Sequence, residues 1–219
     1  MLEEDLRRKY LRCRSVTDLR QLDGSRLAND LRRYMNLAEE LSVTSSSIVK
    51  RKDFLIDRKA RMKCRIPVCR YYGTSLNCPP HTSHFDEIQK TINGYQTGIL
   101  LGWEFPRQNV LEDTSNLRRS IYKTISIIES VAFYDGYYFA CGFATGSCRR
   151  SLCNNLDCQA LTSPEKGCRN PLLARPSMEA VGFDVYGMAA HAGWKLFPAG
   201  GNCPDEIDVL SRIGFVLIV

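Results

Sequence analysis

Lys63-Cys64-Arg65-Ile66-Pro67-Val68-Cys69-Arg70-Tyr71-Tyr72-Gly73-Thr74-Ser75-Leu76-Asn77-Cys78-Pro79-Pro80 places three cysteines within fifteen residues, with turn formers between them. Thiolates are soft anionic donors suited to iron or zinc, and several must converge on one centre. The backbone between them has to turn sharply, which Pro67, Gly73 and Pro79-Pro80 allow. The bland alternative is a turn-rich loop with buried free thiols. Three cysteines this close favour metal.

Downstream, Cys148, Cys153, Cys158 and Cys168 form a second set. Four residues separate the first pair and four the second pair, and nine separate Cys158 from Cys168. Four cysteines suffice to close a 4Fe-4S cluster or a tetrahedral zinc site. The spacing is neither that of a bacterial ferredoxin nor the short paired knuckles of a zinc ribbon, so the metal is left open. The first set is one ligand short. Cys141, Cys203, His81, His84 or an external molecule are the candidates for its fourth position, and an iron without a protein thiolate is a place for substrate.

The regions around the two sets predict the fold. Leu27, Leu31, Tyr34, Met35, Ala38 and Leu41 mark one helical face after a turn and cap at Asp23-Gly24-Ser25. One or two strands are expected within Ser46–Asp57. A capping box at Ser83-His84-Phe85-Asp86 predicts a helix that ends near Asn93-Gly94. Thr97–Trp103 reads as a buried strand, Asn109–Gly136 as a helix striped by Leu117, Ile121, Ile125, Ile128 and Ala132, and Tyr137–Phe143 as a strand. Ser177 and Asp184 open two short helices divided by Gly182. Trp194–Phe197 and Ile213–Val219 read as strands. The expectation is an α/β or α+β fold: a single domain with a central mixed sheet flanked by helices and two cysteine-rich loops. A basic helical segment over residues 1–41 precedes a cysteine-rich metal-binding domain over 42–219.

The 219 residues include 44% hydrophobic side chains, enough for a real core. The longest apolar runs, Gly98–Trp103 and Gly214–Val219, are too short to cross a bilayer. Met1–Arg8 is charged and lacks the apolar segment of a secretory leader. A cytoplasmic setting is therefore expected, where disulfides do not persist and ten cysteines point to metal. Residues 1–70 carry a net charge of +8 and the remainder −2. That asymmetry reads as a solvated basic face or as a docking surface for a redox partner protein. No nucleic-acid motif accompanies it, and nucleic acid is not expected as a partner. No nucleophile with a paired base, phosphate loop or carboxylate pair stands out, so no catalytic residue is assigned.

One resemblance sharpens this reading. Cys64, Cys69, Tyr72-Gly73 and Cys78-Pro79-Pro80 are followed by the second cysteine set. Ala174-Arg175-Pro176-Ser177-Met178-Glu179-Ala180, Gly182-Phe183-Asp184-Val185 and the apolar ending Gly214–Ile218 come after it. In this order the chain resembles an uncharacterised family of predicted metal-binding, cysteine-rich proteins of bacteria and archaea, over roughly residues 40–219. Its second set departs from that family's tighter, two-residue gaps. The resemblance implies iron–sulfur ligation more than zinc, with Tyr72, Gly73 and Arg175 as candidate residues around the cofactor. Arg175 reads either as facing an anionic cluster or as ordering the loop after Cys168. Tyr71, Tyr72, Tyr137 and Tyr138 read as cluster shields or as core aromatics.

Three functions follow as expectations. The first is an iron–sulfur protein with one or two 4Fe-4S clusters that carries electrons or serves as a redox subunit. The second is an enzyme for small-molecule reduction or sulfur chemistry, using a three-cysteine cluster with an open iron. The third is a zinc-stabilised binding module.

Overall fold

Gly98–Trp103 is apolar without alternation because the strand that contains it is covered on both faces. The computed structural model describes residues 2–16, 18–106, 115–197 and 209–219. Along the described chain come α1 (Leu2–Tyr10), α2 (Gly24–Glu40), β1 (Ser45–Lys50), α3 (Arg58–Met62), α4 (Phe85–Asn93) and β2 (Thr97–Pro106). Then follow α5 (Ser115–Tyr134), β3 (Cys141–Phe143), α6 (Cys148–Leu152), α7 (Gln159–Thr162), α8 (Met178–Val181), α9 (Val185–His191) and β4 (Val209–Leu217).

The four strands form one sheet in the order β1-β2-β4-β3. Ile48 lies opposite Ile99, and Phe215 lies between Leu100 and Phe143. This is the expected helix-flanked central sheet in its α+β form, but every pairing is antiparallel where a mixed sheet was expected. The reason is the last strand. β2 and β3 point the same way, with α5 between them in sequence, which reads like a parallel crossover. β4 then inserts between them and runs against both.

Alternate residues of the inner strands serve different layers. Ile99, Leu101, Trp103, Val216 and Ile218 pack with Leu31, Tyr34 and Leu37 of α2 and Ile121, Ile125 and Ile128 of α5. Leu100, Ile213, Phe215 and Leu217 face the other way, onto Ile92 of α4, Met178 and Val181 of α8, and Met188 of α9. The first cysteine segment follows α3, which packs on α8 of the second layer, while Cys148 and Leu152 of α6 pack against Tyr122 of α5.

Local signals explain most boundaries. Asp23, Ser177 and Asp184 each accept a backbone N–H as helix caps. At α4 the cap residue is His84, not Ser83, and no side chain closes it. Tyr137–Phe143 pairs only over Cys141–Phe143, because Tyr137 and Ala140 spend their N–H groups on turns to Ala132 and Tyr137. Trp194–Phe197 is not a strand: the Trp194 N–H closes the end of α9 on the Ala189 carbonyl, 2.9 Å away. Of Ser46–Asp57, β1 ends at Lys50 and a short turn follows; Ile56 makes a single bridge to Phe183.

Three arginines of the basic N-terminal part, Arg14, Arg26 and Arg33, are turned inward. Asp30 and Asp135 are buried. Arg14 and Tyr137 donate to Asp30 at 2.6 and 3.0 Å, and Arg33 and Tyr34 donate to Asp135. These bonds fasten α2 and the segment after α1 to the end of α5.

Candidate metal centre

Past α3, whose start is capped by Asp57, the chain from Arg61 to His81 is a succession of hydrogen-bonded turns. Cys64 N–H reaches Arg61, Cys69 N–H reaches the Cys64 carbonyl at 3.1 Å, and Cys78 N–H reaches Ser75 at 3.1 Å. Gly73 takes φ +72°, a region that favours glycine, and its N–H bonds the Pro79 carbonyl at 2.7 Å. This folds Tyr72-Gly73 back over Cys78-Pro79.

The turns bring Cys64, Cys69 and Cys78 to the wall of one cavity of about 250 Å³, with Tyr72, Ser147 and Glu179 also in the wall. Glu179 arrives there through several ties on α8. Ser177 caps that helix, Met178 N–H bonds the Ala144 carbonyl, and Asp57 N–H bonds the Gly182 carbonyl at 2.8 Å. Arg61 holds Thr82, whose hydroxyl reaches the Ala180 carbonyl.

The second set lines a cavity of its own, about 260 Å³, with Cys148, Cys153, Cys158 and Cys168 all in its wall. α6 starts at Cys148. The loop after it reverses at Asn154 and Asn155, both at positive φ, and the Arg149 guanidinium holds the carbonyls of Asn155 and Leu156. The two cavities adjoin. Cys78 Sγ and Ser147 Oγ are 3.6 Å apart, Cys148 Sγ and Ser75 Oγ 3.7 Å, and Tyr71 Oη donates to Asn155.

N–H groups are aimed at four of the sulfurs. Tyr71 N–H points to Cys69 Sγ at 3.4 Å and Asn170 N–H to Cys168 Sγ at 3.3 Å. The amides of Asn77 and Asn170 donate to Cys148 and Cys153, both at 3.5 Å. Burial pushes the Cys64 thiol up to about 11, and the charges of Cys69, Glu179 and Cys78 add to the effect. Cys148 is raised by burial too, while the Asn77 and Ser75 donors, which favour thiolate over thiol, pull it back. Thiols crowded together out of water become stable anions when a cation sits among them.

The donor chemistry therefore fits iron or zinc, but the spread of donors matters. Among the described residues, no three His, Cys, Asp or Glu side chains converge closely enough to hold a single metal ion. The thiols stand around cavities instead.

Other expected residues fall elsewhere. Arg175 lines neither cysteine cavity. Its guanidinium grips the Glu129 carboxylate at 2.7 and 2.8 Å and bonds the Ala174 carbonyl, which orders the chain after Cys168. Cys141 lies in β3 near Glu129 and Arg175; burial first and then the Glu129 charge push its thiol up to about 11. His81 is exposed, 3.2 Å from the Gly73 carbonyl, and His84 is exposed at the start of α4. Cys203 lies outside the described residues. Tyr137 belongs to the Asp30 network, far from a shielding role. Sequence reasoning did not single out Asn77, Asn170, Ser75 and Ser147. Their signal was proximity alone: each stands within three residues of a cysteine of one set or the other.

An α+β fold with two adjoining thiol-lined cavities fits a metal-binding protein. Residues 47–218 match the family described as Predicted metal-binding protein (DUF2284), and the chain belongs to that family. No curated protein and no solved structure matches it. Among the described residues, no helix is long and apolar enough to cross a membrane.

Proposed function

We propose that the chain binds two 4Fe-4S clusters, one at each cysteine set, and carries electrons between a redox partner protein and a second acceptor. The observation that carries this reading is that each set lines its own cavity, of about 250 and about 260 Å³. A lone tetrahedral zinc draws its thiolates to about 2.3 Å and leaves no such space. A cube of four irons and four sulfides occupies one, with its thiolates spread around it.

Cys148, Cys153, Cys158 and Cys168 would close the second cluster. Cys64, Cys69 and Cys78 would hold the first. Bound there, the clusters supply one-electron chemistry, and this chain's residues tune and insulate it. The amide donors of Asn77 and Asn170 offset negative charge on the sulfurs. Tyr72 lines the first cavity. Ser147 and Cys148, neighbours in the chain, line the first and the second cavity, which supports an internal relay. Exposed Ile66, Val68 and Leu76, with exposed Lys63, Arg65 and Arg70 around them, give the first loop an apolar and positive rim for an acidic partner.

The test is protein purified without oxygen: its visible spectrum together with iron, sulfide and zinc per chain. The reading expects a brown protein with about eight irons and as many sulfides per chain. Serine in place of Cys64, Cys69 and Cys78 should remove about half of them, and serine in the second set the other half. A colourless protein with about one or two zincs that takes up no iron and sulfide would overturn it.

A further inference from the structure

We propose that Glu179 is the fourth protein ligand of the first metal centre, its carboxylate completing the set begun by Cys64, Cys69 and Cys78. This rests on the cluster reading above. Glu179 is the one carboxylate in the wall of the first cavity. It is half-buried, and among the described residues its side chain makes no hydrogen bond or close ion pair, although its charge is felt at the Arg212 guanidinium. A carboxylate withdrawn from water without a partner is costly unless a cation meets it.

Apart from the Tyr72 hydroxyl, the other side-chain oxygens of that wall are committed. Ser177 Oγ accepts the Ala180 N–H at 3.2 Å, Ser147 Oγ takes the Cys78 thiol, and Tyr71 Oη donates to Asn155. The alternatives with stronger metal chemistry, Cys141, His81 and His84, are not in the wall. Nor is Glu179 placed by accident: the Ser177 cap, the Met178–Ala144 bond and the Asp57–Gly182 bond fix α8 on the sheet.

A carboxylate is a harder, more weakly held donor to iron than a thiolate. The iron it holds is thus the one most easily lost, and the site is closed to substrate only as firmly as Glu179 holds. The experiment compares the full chain, purified without oxygen, with its Glu179→Ala, Glu179→Gln and Glu179→Cys variants. Iron per chain and the electron paramagnetic resonance of both clusters are read. Glu179→Ala and Glu179→Gln should each hold about one iron fewer and show a three-iron signal, while Glu179→Cys restores the full count. The signal of the second cluster, which Glu179 does not touch, reports that each variant has folded. Glu179→Ala with an unchanged iron count and unchanged signals would overturn the assignment and leave the cluster reading standing. A wild-type chain without iron and sulfide would instead remove the cluster reading, and this assignment with it.

Discussion

Asn77, the residue before Cys78, donates its side-chain amide to the sulfur of Cys148 at 3.5 Å. A residue of the first cysteine loop thus tunes a sulfur of the second. Hydrogen bonds to cluster sulfurs stabilise the more negative, reduced state and raise the potential. With the two proposed clusters bound, Asn77→Ala should therefore shift the midpoint potential of the second to more negative values, and by more than that of the first. Redox titration followed by electron paramagnetic resonance measures both. An unmoved second cluster would count against the pairing of Asn77 with that site.

Arg175 makes its strongest contacts outside the walls of the two cysteine cavities. It pairs in bidentate fashion with Glu129, which also accepts the Gly142 N–H at 2.7 Å. Arg175→Ala should cost about 2–3 kcal/mol in urea unfolding, the loss of charge-assisted hydrogen bonds. Glu129→Ala should cost more, because it strands both the half-buried guanidinium and a strand N–H. The visible spectrum of the folded Arg175→Ala protein should match wild type. A lost cluster in folded protein would show that Arg175 acts on the cofactor after all.

These two residues also show what the sequence could and could not say. Cysteine spacing marked both thiol sets, and capping residues such as Asp23, Ser177 and Asp184 marked helix starts, because both signals are local. The stripes of α2 and α5 were legible for the same reason. The antiparallel sheet was not, since β4 comes last in the chain and takes a central place only through long-range packing. The grouping into two adjoining cavities was hidden too: Ser75 reaches Cys148, and Cys78 reaches Ser147, across about seventy residues of chain. Arg175 and Glu179 stand four residues apart, yet the structure sends one to Glu129 and the other to the first cavity.

The Asp135 carboxylate sits fully buried at the end of α5, where Arg33 and Tyr34 donate to it. Burial and then the charge of Asp135 hold the Tyr34 hydroxyl well above its ordinary pKa, so it stays a donor. Asp135→Ala leaves a guanidinium and a hydroxyl without their acceptor. The expected loss is about 3–5 kcal/mol by chemical denaturation. Replacing Arg33, Tyr34 and Asp135 together by apolar residues of similar volume should cost less than Asp135→Ala alone. If the triple variant is the weaker one, the charges contribute more than mutual compensation.

Asp30 makes the same region sensitive to acid. Burial opposes ionisation of its carboxyl, but hydrogen bonds from Arg14 and Tyr137 and the charges of Arg14 and Arg33 outweigh burial, and the carboxyl titrates below its ordinary 3.8. A carboxyl depressed by folding stabilises the native state at every pH above its unfolded value. That contribution fades as the pH falls through the native value, because the unfolded chain then takes up the proton first. Asp30→Asn should be less stable than wild type at pH 7. The gap should hold down to about pH 5 and narrow below about pH 4, as wild type loses what the variant never had. Urea midpoints measured for both proteins across that range give the answer, and the difference between them cancels acid effects on bound metal that the two share. A gap that stays constant down to pH 2 would mean that Asp30 acts by shape and not by charge.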